Sequence, residues 1–142
     1  MTRTEFRFVI DTHVIVSALL FRSLVARHCF DKAINNGCLL QSIDTTDELD
    51  TVLRSEKFNK YVTEVERLQF LGEWVAQAKF IQIVETIIVC RDPKDDKFLE
   101  LAINGNADFI VSGDQDLQVM HPFREIPILS PTAFLALKLD NR

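Results

Sequence analysis

The sequence predicts an α/β fold in three layers, α/β/α, in which helices cover both faces of a mainly parallel central sheet. Short apolar runs alternate with stretches of helical periodicity along the chain. The strand-like runs are apolar throughout, as is typical of parallel strands that are buried on both faces. The chain has 142 residues with only four glycines and four prolines, so we expect one domain spanning residues 1–142.

Each element is predicted from its apolar spacing and from the residues that begin or end it. Predicted strands cover residues 6–10, 39–43, 81–89, 109–112 and 126–129. Predicted helices cover residues 14–20, 24–34, 45–55, 63–78 and 96–104, and Ser130-Pro131 begins a last helix. Asn36-Gly37 ends the second helix, and Thr63 with Glu66 forms a capping box at the start of the fourth.

Composition limits the classes of function. The formal net charge of −5 argues against a surface that binds nucleic acid throughout, but not against a nuclease whose carboxylates bind cations. Since the chain lacks a run of about 18 apolar residues and a signal-like N-terminus, we expect no membrane association and a cytoplasmic location. Cys29, Cys38 and Cys90 are odd in number and lack CxxC spacing, which indicates buried thiols in a reducing compartment.

Acidic residues follow two of the predicted strands. Asp11 comes directly after the first strand, and Asp114 and Asp116 follow the strand at 109–112. The carboxyl ends of parallel strands meet at one edge of a sheet, where ligands bind. The plainer interpretation is that Asp11 caps a helix and that Asp114 is a loop residue in a Gly-Asp turn.

Two further acidic positions begin predicted helices. Glu48 lies in the first turn of the helix at 45–55, where Thr45 to Glu48 also reads as a capping box. The helix at 96–104 is preceded by Asp92 and Asp95 and begins with Asp96. Acids favour helix N-termini, so part of this run is structural. Periodicity leaves open whether Asp95 or Asp96 faces the other acids.

Crowded carboxylates need a compensating charge. Like charges about 4 Å apart repel by roughly 1–4 kcal/mol, depending on screening. Lys94 and Lys97 are basic residues that can help, but no basic residue adjoins Asp11 or Asp114 in the sequence. A set of oxygen ligands without paired Cys or His suits Mg²⁺ or Mn²⁺. Such a site can activate water against a phosphodiester.

These motifs resemble those of the PIN domain family. Residues 10–20, 92–102 and 107–117 are similar to its first, third and fourth acidic motifs, and residues 46–49 fall at the second. The resemblance extends from Phe6 to Leu135 and is closest to prokaryotic PIN proteins described as toxins of toxin–antitoxin pairs. It implies a Mg²⁺- or Mn²⁺-dependent ribonuclease that acts on RNA, is inhibited by a small antitoxin protein and forms a homodimer or higher oligomer.

The resemblance also implies roles for individual residues. Asp11, Glu48, Asp95 and Asp114 would form the catalytic acidic quartet and bind metal, with Asp96 as the rival for the third place and Asp116 as a fifth acid. Ser112 stands where the family often has Thr or Ser and would orient an acid or a water molecule. His13 stands where the family usually has Asn. The alternative function is therefore a catalytically weakened module that binds RNA or a protein.

Basic and apolar surface residues complete the predicted set. Arg22, Arg54 and Lys57 are candidates for RNA contacts, although ordinary solvated surface is the plainer interpretation. An apolar stripe of Phe70, Leu71, Trp74 and Val75 can pack inside or against a second subunit.

A phosphatase with an aspartyl nucleophile at Asp11 is disfavoured. Some phosphatases of this kind need a second Asp two residues later, where this chain has His13. The sequence also lacks a Gly-rich phosphate loop of the P-loop or dinucleotide type.

Overall fold

The computed structural model describes residues 5–20 and 23–139. Its strands are β1 (Phe6–Ile10), β2 (Gly37–Gln41), β3 (Lys79–Phe80), β4 (Phe109–Val111) and β5 (Ile128–Leu129). They form one sheet in the order β3-β2-β1-β4-β5, in which every neighbouring pair is parallel. The chain winds outwards in opposite directions from β1 and β4. A crevice is therefore expected beyond the carboxyl ends of these two strands.

Seven α-helices lie in the described ranges. They are α1 (Thr12–Leu19), α2 (Leu24–Asn36), α3 (Ile43–Leu53), α4 (Glu64–Gln77), α5 (Asp96–Asn104), α6 (Gln115–Gln118) and α7 (Pro131–Ala136). The single turn of α6 was not predicted from the sequence. None of these helices is by itself long and apolar enough to cross a membrane. Only α1 and α2 taken together, with a bend of 107° between them, satisfy that test of length and composition.

Alternate residues of the central strand pack into two separate cores. Phe8 and Ile10 of β1 pack with apolar residues of α1, α2, α3, α4 and α7. Val9, between them, packs with apolar residues of α5 and with Leu117 of α6. Successive side chains of a strand point to opposite faces of the sheet, so the two cores lie on opposite faces. The predicted three-layer α/β/α fold is confirmed.

The start of α3 differs from the prediction. Strand β2 ends at Gln41, and Ser42 rather than Thr45 caps the helix that follows. The Ser42 side chain accepts a hydrogen bond from Thr45 N at 3.2 Å, and Ser42 N donates to Thr45 Oγ1 at 3.0 Å. The expected capping box from Thr45 to Glu48 was therefore wrong, and Glu48 is not used to cap the helix.

The predicted strand at residues 81–89 was also wrong. Lys79 and Phe80 pair with β2, Ile81 N donates one further hydrogen bond to Gln41 O at 2.8 Å, and residues 81–92 have irregular backbone. Side chains spaced four residues apart on α5 bind the backbone N–H groups of this segment: Asn104 those of Val84 and Glu85, Glu100 that of Ile87, and Asp96 those of Val89 and Cys90. Because buried or partly buried N–H groups need acceptors, these side chains take the place of a neighbouring strand.

Candidate metal centre

Asp11 is fixed at the junction between β1 and α1. Its backbone N–H donates to Val111 O at 3.0 Å, which continues the pairing of β1 with β4. Its side chain caps α1 by accepting a hydrogen bond from Val14 N at 2.9 Å. The residue is 3% exposed, and this burial raises the pKa of its carboxyl group although hydrogen bonds from Ser112 and Val14 oppose the change. Asp11 therefore caps α1, as in the plainer interpretation of the sequence. The capping hydrogen bond also orients its buried carboxylate.

Ser112 joins Asp11 to the end of β4. Its hydroxyl group donates to Asp11 Oδ2 and accepts a hydrogen bond from Asp114 N at 3.0 Å. Asp11 and Asp114 also line a common cavity of about 450 Å³, together with His13. Two acids that are distant in the sequence thus converge at the crevice beyond β1 and β4, where the fold rule places a ligand.

Asp95, Asp114 and Asp116 form a tight group of carboxylates. One oxygen from each lies within 4.8 Å of the others. Asp95 is 8% exposed, and its Oδ2 atom is buried without a hydrogen-bond partner among the described residues. Burial and the nearby charges of Asp114 and Asp92 raise the pKa of Asp95 to about 6. The group therefore concentrates negative charge.

These three residues fit a divalent cation. The donors are hard carboxylate oxygens, which Mg²⁺ and Mn²⁺ prefer. A buried oxygen without a partner costs free energy unless a ligand or proton satisfies it. A cation bound by Asp95, Asp114 and Asp116 would satisfy it and would also relieve the repulsion among the carboxylates.

Asp96 has a different environment from Asp95. Its Oδ1 atom accepts hydrogen bonds from Cys90 N at 2.8 Å and Val89 N at 3.1 Å. Burial disfavours its charge, but these backbone donors hold the pKa of Asp96 below its ordinary value. Of the two residues between which the sequence could not choose, Asp95 lies in the carboxylate group and Asp96 anchors the segment that precedes α5.

Glu48 lies outside the group of three and has other partners. Thr12 Oγ1 donates to Glu48 Oε2, and Lys97 Nζ lies 2.8 Å from Glu48 Oε1. Thr12 is 2% exposed, so this carboxylate is held against the first turn of α1. Sequence reasoning named Lys97 only as a general source of positive charge and missed Thr12. The polar side chain of Thr12, directly after Asp11 in the sequence, was the signal that could have identified it.

Two of the basic residues that are candidates for RNA contacts have partners within the chain. Arg54 Nε contacts both oxygens of Asp50 at 3.0 Å, whereas Lys57 lies over the ring of Phe58 at 5.1 Å from its centre. Lys57 and His13 line a second cavity of about 290 Å³, and His13 also lines the first one. Arg22 lies outside the described residues.

Arg91 is a basic residue near the carboxylates that the sequence reasoning did not single out. Its Nη2 atom lies 3.5 Å from Asp116 Oδ1, and its side chain is 87% exposed. Its position directly before Asp92 in the third acidic motif was the signal that could have identified it.

Comparisons with known proteins define the class. The PIN domain family model matches residues 7–116, and the chain belongs to that family. It is 29% identical over 119 residues to the uncharacterized protein MJ1680 of Methanocaldococcus jannaschii, covering 82% of this chain and 76% of that protein.

A solved structure shares the fold. It is the crystal structure of VapBC2 from Rickettsia felis bound to a DNA fragment from their promoter, with a TM-score of 0.62 and 13% identity. The match covers 88% of this chain and 98% of that one. The likeness at this identity concerns the fold.

Proposed function

We propose that this chain is a Mg²⁺- or Mn²⁺-dependent endoribonuclease and the toxin of a toxin–antitoxin pair. PIN domains are generally nucleases, and membership of that family supports hydrolysis of phosphodiester bonds. The observation that carries the proposal is the convergence of Asp95, Asp114 and Asp116, with an unpartnered buried oxygen on Asp95. A divalent cation held by these three residues would supply an activated water molecule and would stabilise the leaving oxygen of the phosphodiester.

The residues of the chain have distinct tasks in this proposal. Asp95, Asp114 and Asp116 bind the cation, and Asp11 contributes negative charge beside Asp114. Ser112 holds the Asp11 carboxylate and the backbone of Asp114 in a fixed relation. The cavity lined by Asp11 and Asp114 gives a phosphodiester access to these two acids.

Partners follow from the same proposal. A small antitoxin would cover the crevice that contains Asp11 and Asp114, as the resemblance to toxins of toxin–antitoxin pairs implies, and the solved structure that shares the fold is that of VapBC2. A second copy of the chain would pack on α4. In that helix Trp74 faces the core, whereas Val65, Leu68 and Val75 are 73%, 53% and 53% exposed at helical spacing. A neighbouring gene for a short protein with a DNA-binding N-terminus would support the antitoxin pairing.

The cleavage experiment uses single-stranded RNA, Mn²⁺ or Mg²⁺, and three variants. Asp11→Asn and Asp114→Asn remove a charge at the site, whereas Glu73→Gln removes an exposed charge on α4. We expect both Asp variants and the wild type in EDTA to lose activity, by about a hundredfold or more, and Glu73→Gln to keep it. Cleavage that survives both Asp substitutions and EDTA would refute the proposal.

A catalytically weakened binding module is the second candidate, and His13 favours it. The His13 ring is exposed, lies beside Asp11 and lines both cavities. At this position the family usually has the amide side chain of Asn. Calorimetry with Mn²⁺ separates the two candidates, since a binding module without catalysis need not bind the cation. Restoring the family residue with His13→Asn should raise cleavage if the histidine weakens the enzyme.

A further inference from the structure

The charge of Glu48 is balanced within the chain itself. Lys97 Nζ donates to Glu48 Oε1 at 2.8 Å, and Thr12 Oγ1 donates to Oε2. The side chains of Lys97 and Glu48 are only 20% and 22% exposed. Both oxygens are therefore occupied by donors from two different helices, and the ion pair is largely shielded from water.

The carboxylates of Asp95, Asp114 and Asp116 lack an equivalent partner among the described residues. Arg91 lies 3.5 Å from Asp116, but its side chain is 87% exposed. Exposed ion pairs of this kind contribute little free energy. Asp95 Oδ2 is both buried and unpartnered. Among these four acids, Glu48 therefore has a shielded cation within the chain, whereas Asp95, Asp114 and Asp116 do not.

We infer that Lys97 is a resident cation that takes the place of a second metal ion beside Glu48. The start of α5 supplies both Asp95, which needs a cation, and Lys97, which is one. A divalent ion bound to Glu48 would have to displace the shielded ammonium group or bind against its repulsion. This inference rests on the proposed metal-dependent function and specifies how many ions the site holds.

The consequence is a site for one divalent cation per chain. Asp95, Asp114 and Asp116 bind that ion, and Glu48 is a positioning residue that holds the Lys97 ammonium group near the start of α5. Lys97 keeps two further N–H donors in addition to the one that bonds Glu48. Glu48 is therefore removed from the set of metal ligands that the family resemblance implies.

The test is the number of Mn²⁺ ions that the full chain binds. Titration calorimetry, with electron paramagnetic resonance to count bound Mn²⁺, is applied to the wild type, Glu48→Gln, Lys97→Met, Lys97→Arg and Asp95→Asn. We expect one ion in the wild type, one in Glu48→Gln and in Lys97→Arg, and none in Asp95→Asn. Lys97→Met should acquire a second, weaker ion because Glu48 has lost its cation.

Other ion counts would contradict either the inference about Lys97 or the proposed function. Two ions in the wild type, with one lost in Glu48→Gln, would overturn the inference and leave the proposed function standing. A single ion of unchanged affinity in a folded Lys97→Met variant would also overturn it. If Lys97→Met does not fold, the comparison of the wild type with Glu48→Gln decides. A wild-type chain that binds no Mn²⁺ would instead contradict the proposed function.

Discussion

The Ser112 hydroxyl group donates a hydrogen bond to the carboxylate of Asp11, a residue 101 positions earlier in the chain. Ser112 is fully buried and Asp11 nearly so, at 0% and 3% exposure. The same hydroxyl oxygen accepts from Asp114 N, so one small side chain sets the relation between the ends of β1 and β4. The relative positions of Asp11 and Asp114 therefore depend on Ser112, a residue that does not have to contact the cation.

Removing this hydroxyl group should weaken both the fold and cation binding. Ser112→Ala leaves Asp11 Oδ2 and Asp114 N without their buried partner, which should cost about 1–3 kcal/mol of unfolding free energy. Urea unfolding measures this loss, and Mn²⁺ titration should show lower affinity. Ser55→Ala is the matched control, because the Ser55 side chain makes no capping hydrogen bond. Equal stability of the two variants would contradict the role assigned to Ser112.

Asp95 should make the metal-free protein less stable as the pH rises. Its pKa is 3.8 in the unfolded chain and about 6 in the folded one, so the folded chain holds more protons between these values. Stability therefore falls as the pH rises from about 4 to about 6 and then levels off. Asp95→Asn removes this effect. In EDTA at pH 7 it should exceed the wild type by on the order of 1 kcal/mol, a gap that closes toward pH 4.

Saturating Mn²⁺ should reverse the order of these two proteins. The wild type gains the free energy of cation binding, which Asp95→Asn lacks. Urea unfolding at several pH values, with EDTA or Mn²⁺, measures both effects. A variant that is less stable than the wild type in EDTA at pH 7 would show that Asp95 is not an unbalanced charge.

Asp96 should affect stability and leave cation binding intact. Asp96→Ala removes the acceptor for two backbone N–H groups, at Val89 and Cys90, and should cost about 1–3 kcal/mol. Asp96→Asn keeps a carbonyl oxygen there and should cost less. Because the pKa of Asp96 is lowered, its contribution is present above pH 3.8 and is lost as the pH falls through the folded pKa. Loss of Mn²⁺ binding in folded Asp96→Asn would assign this residue to the metal instead.

Lys57 and Arg54 should differ in their effect on RNA binding. Lys57 lines the cavity that it shares with His13, whereas the Arg54 guanidinium group is paired with Asp50. In an Asp114→Asn background, Lys57→Ala should weaken binding of single-stranded RNA and lower the salt-dependence slope by about 1. Arg54→Ala should have a smaller effect. Fluorescence anisotropy at several salt concentrations measures both, and equal losses would argue against an RNA path along the Lys57 cavity.

Elements that depend on neighbouring residues in the sequence were predicted correctly. The bounds of β1 and α5 agree with the prediction because each is defined by its own apolar spacing and flanking residues. The Thr63–Glu66 capping box is confirmed by both of its hydrogen bonds. The position of Asp11 and Asp114 at one edge was also predictable, since it follows from the parallel sheet. Their close approach depends on β1 and β4 being neighbours, which the sequence did not predict.

Interactions between distant elements could not be predicted in the same way. Glu48 meets Thr12 and Lys97 across 36 and 49 residues, and no periodic pattern relates these positions. The segment at 81–89 has the apolar composition of a strand, but after Ile81, whose N–H donates to Gln41 O of β2, four of its backbone N–H groups bind side chains of α5. Only tertiary contacts distinguish these two ways of satisfying the backbone.

The most direct measurement is the position of Mn²⁺ in crystals of the protein, located by its anomalous scattering. We expect a peak in contact with the carboxylates of Asp95, Asp114 and Asp116, and no peak in crystals of Asp95→Asn. A structure with Mn²⁺ bound elsewhere, or with none at saturating concentration while Asp95 keeps its place, would show that these three residues are not the metal ligands.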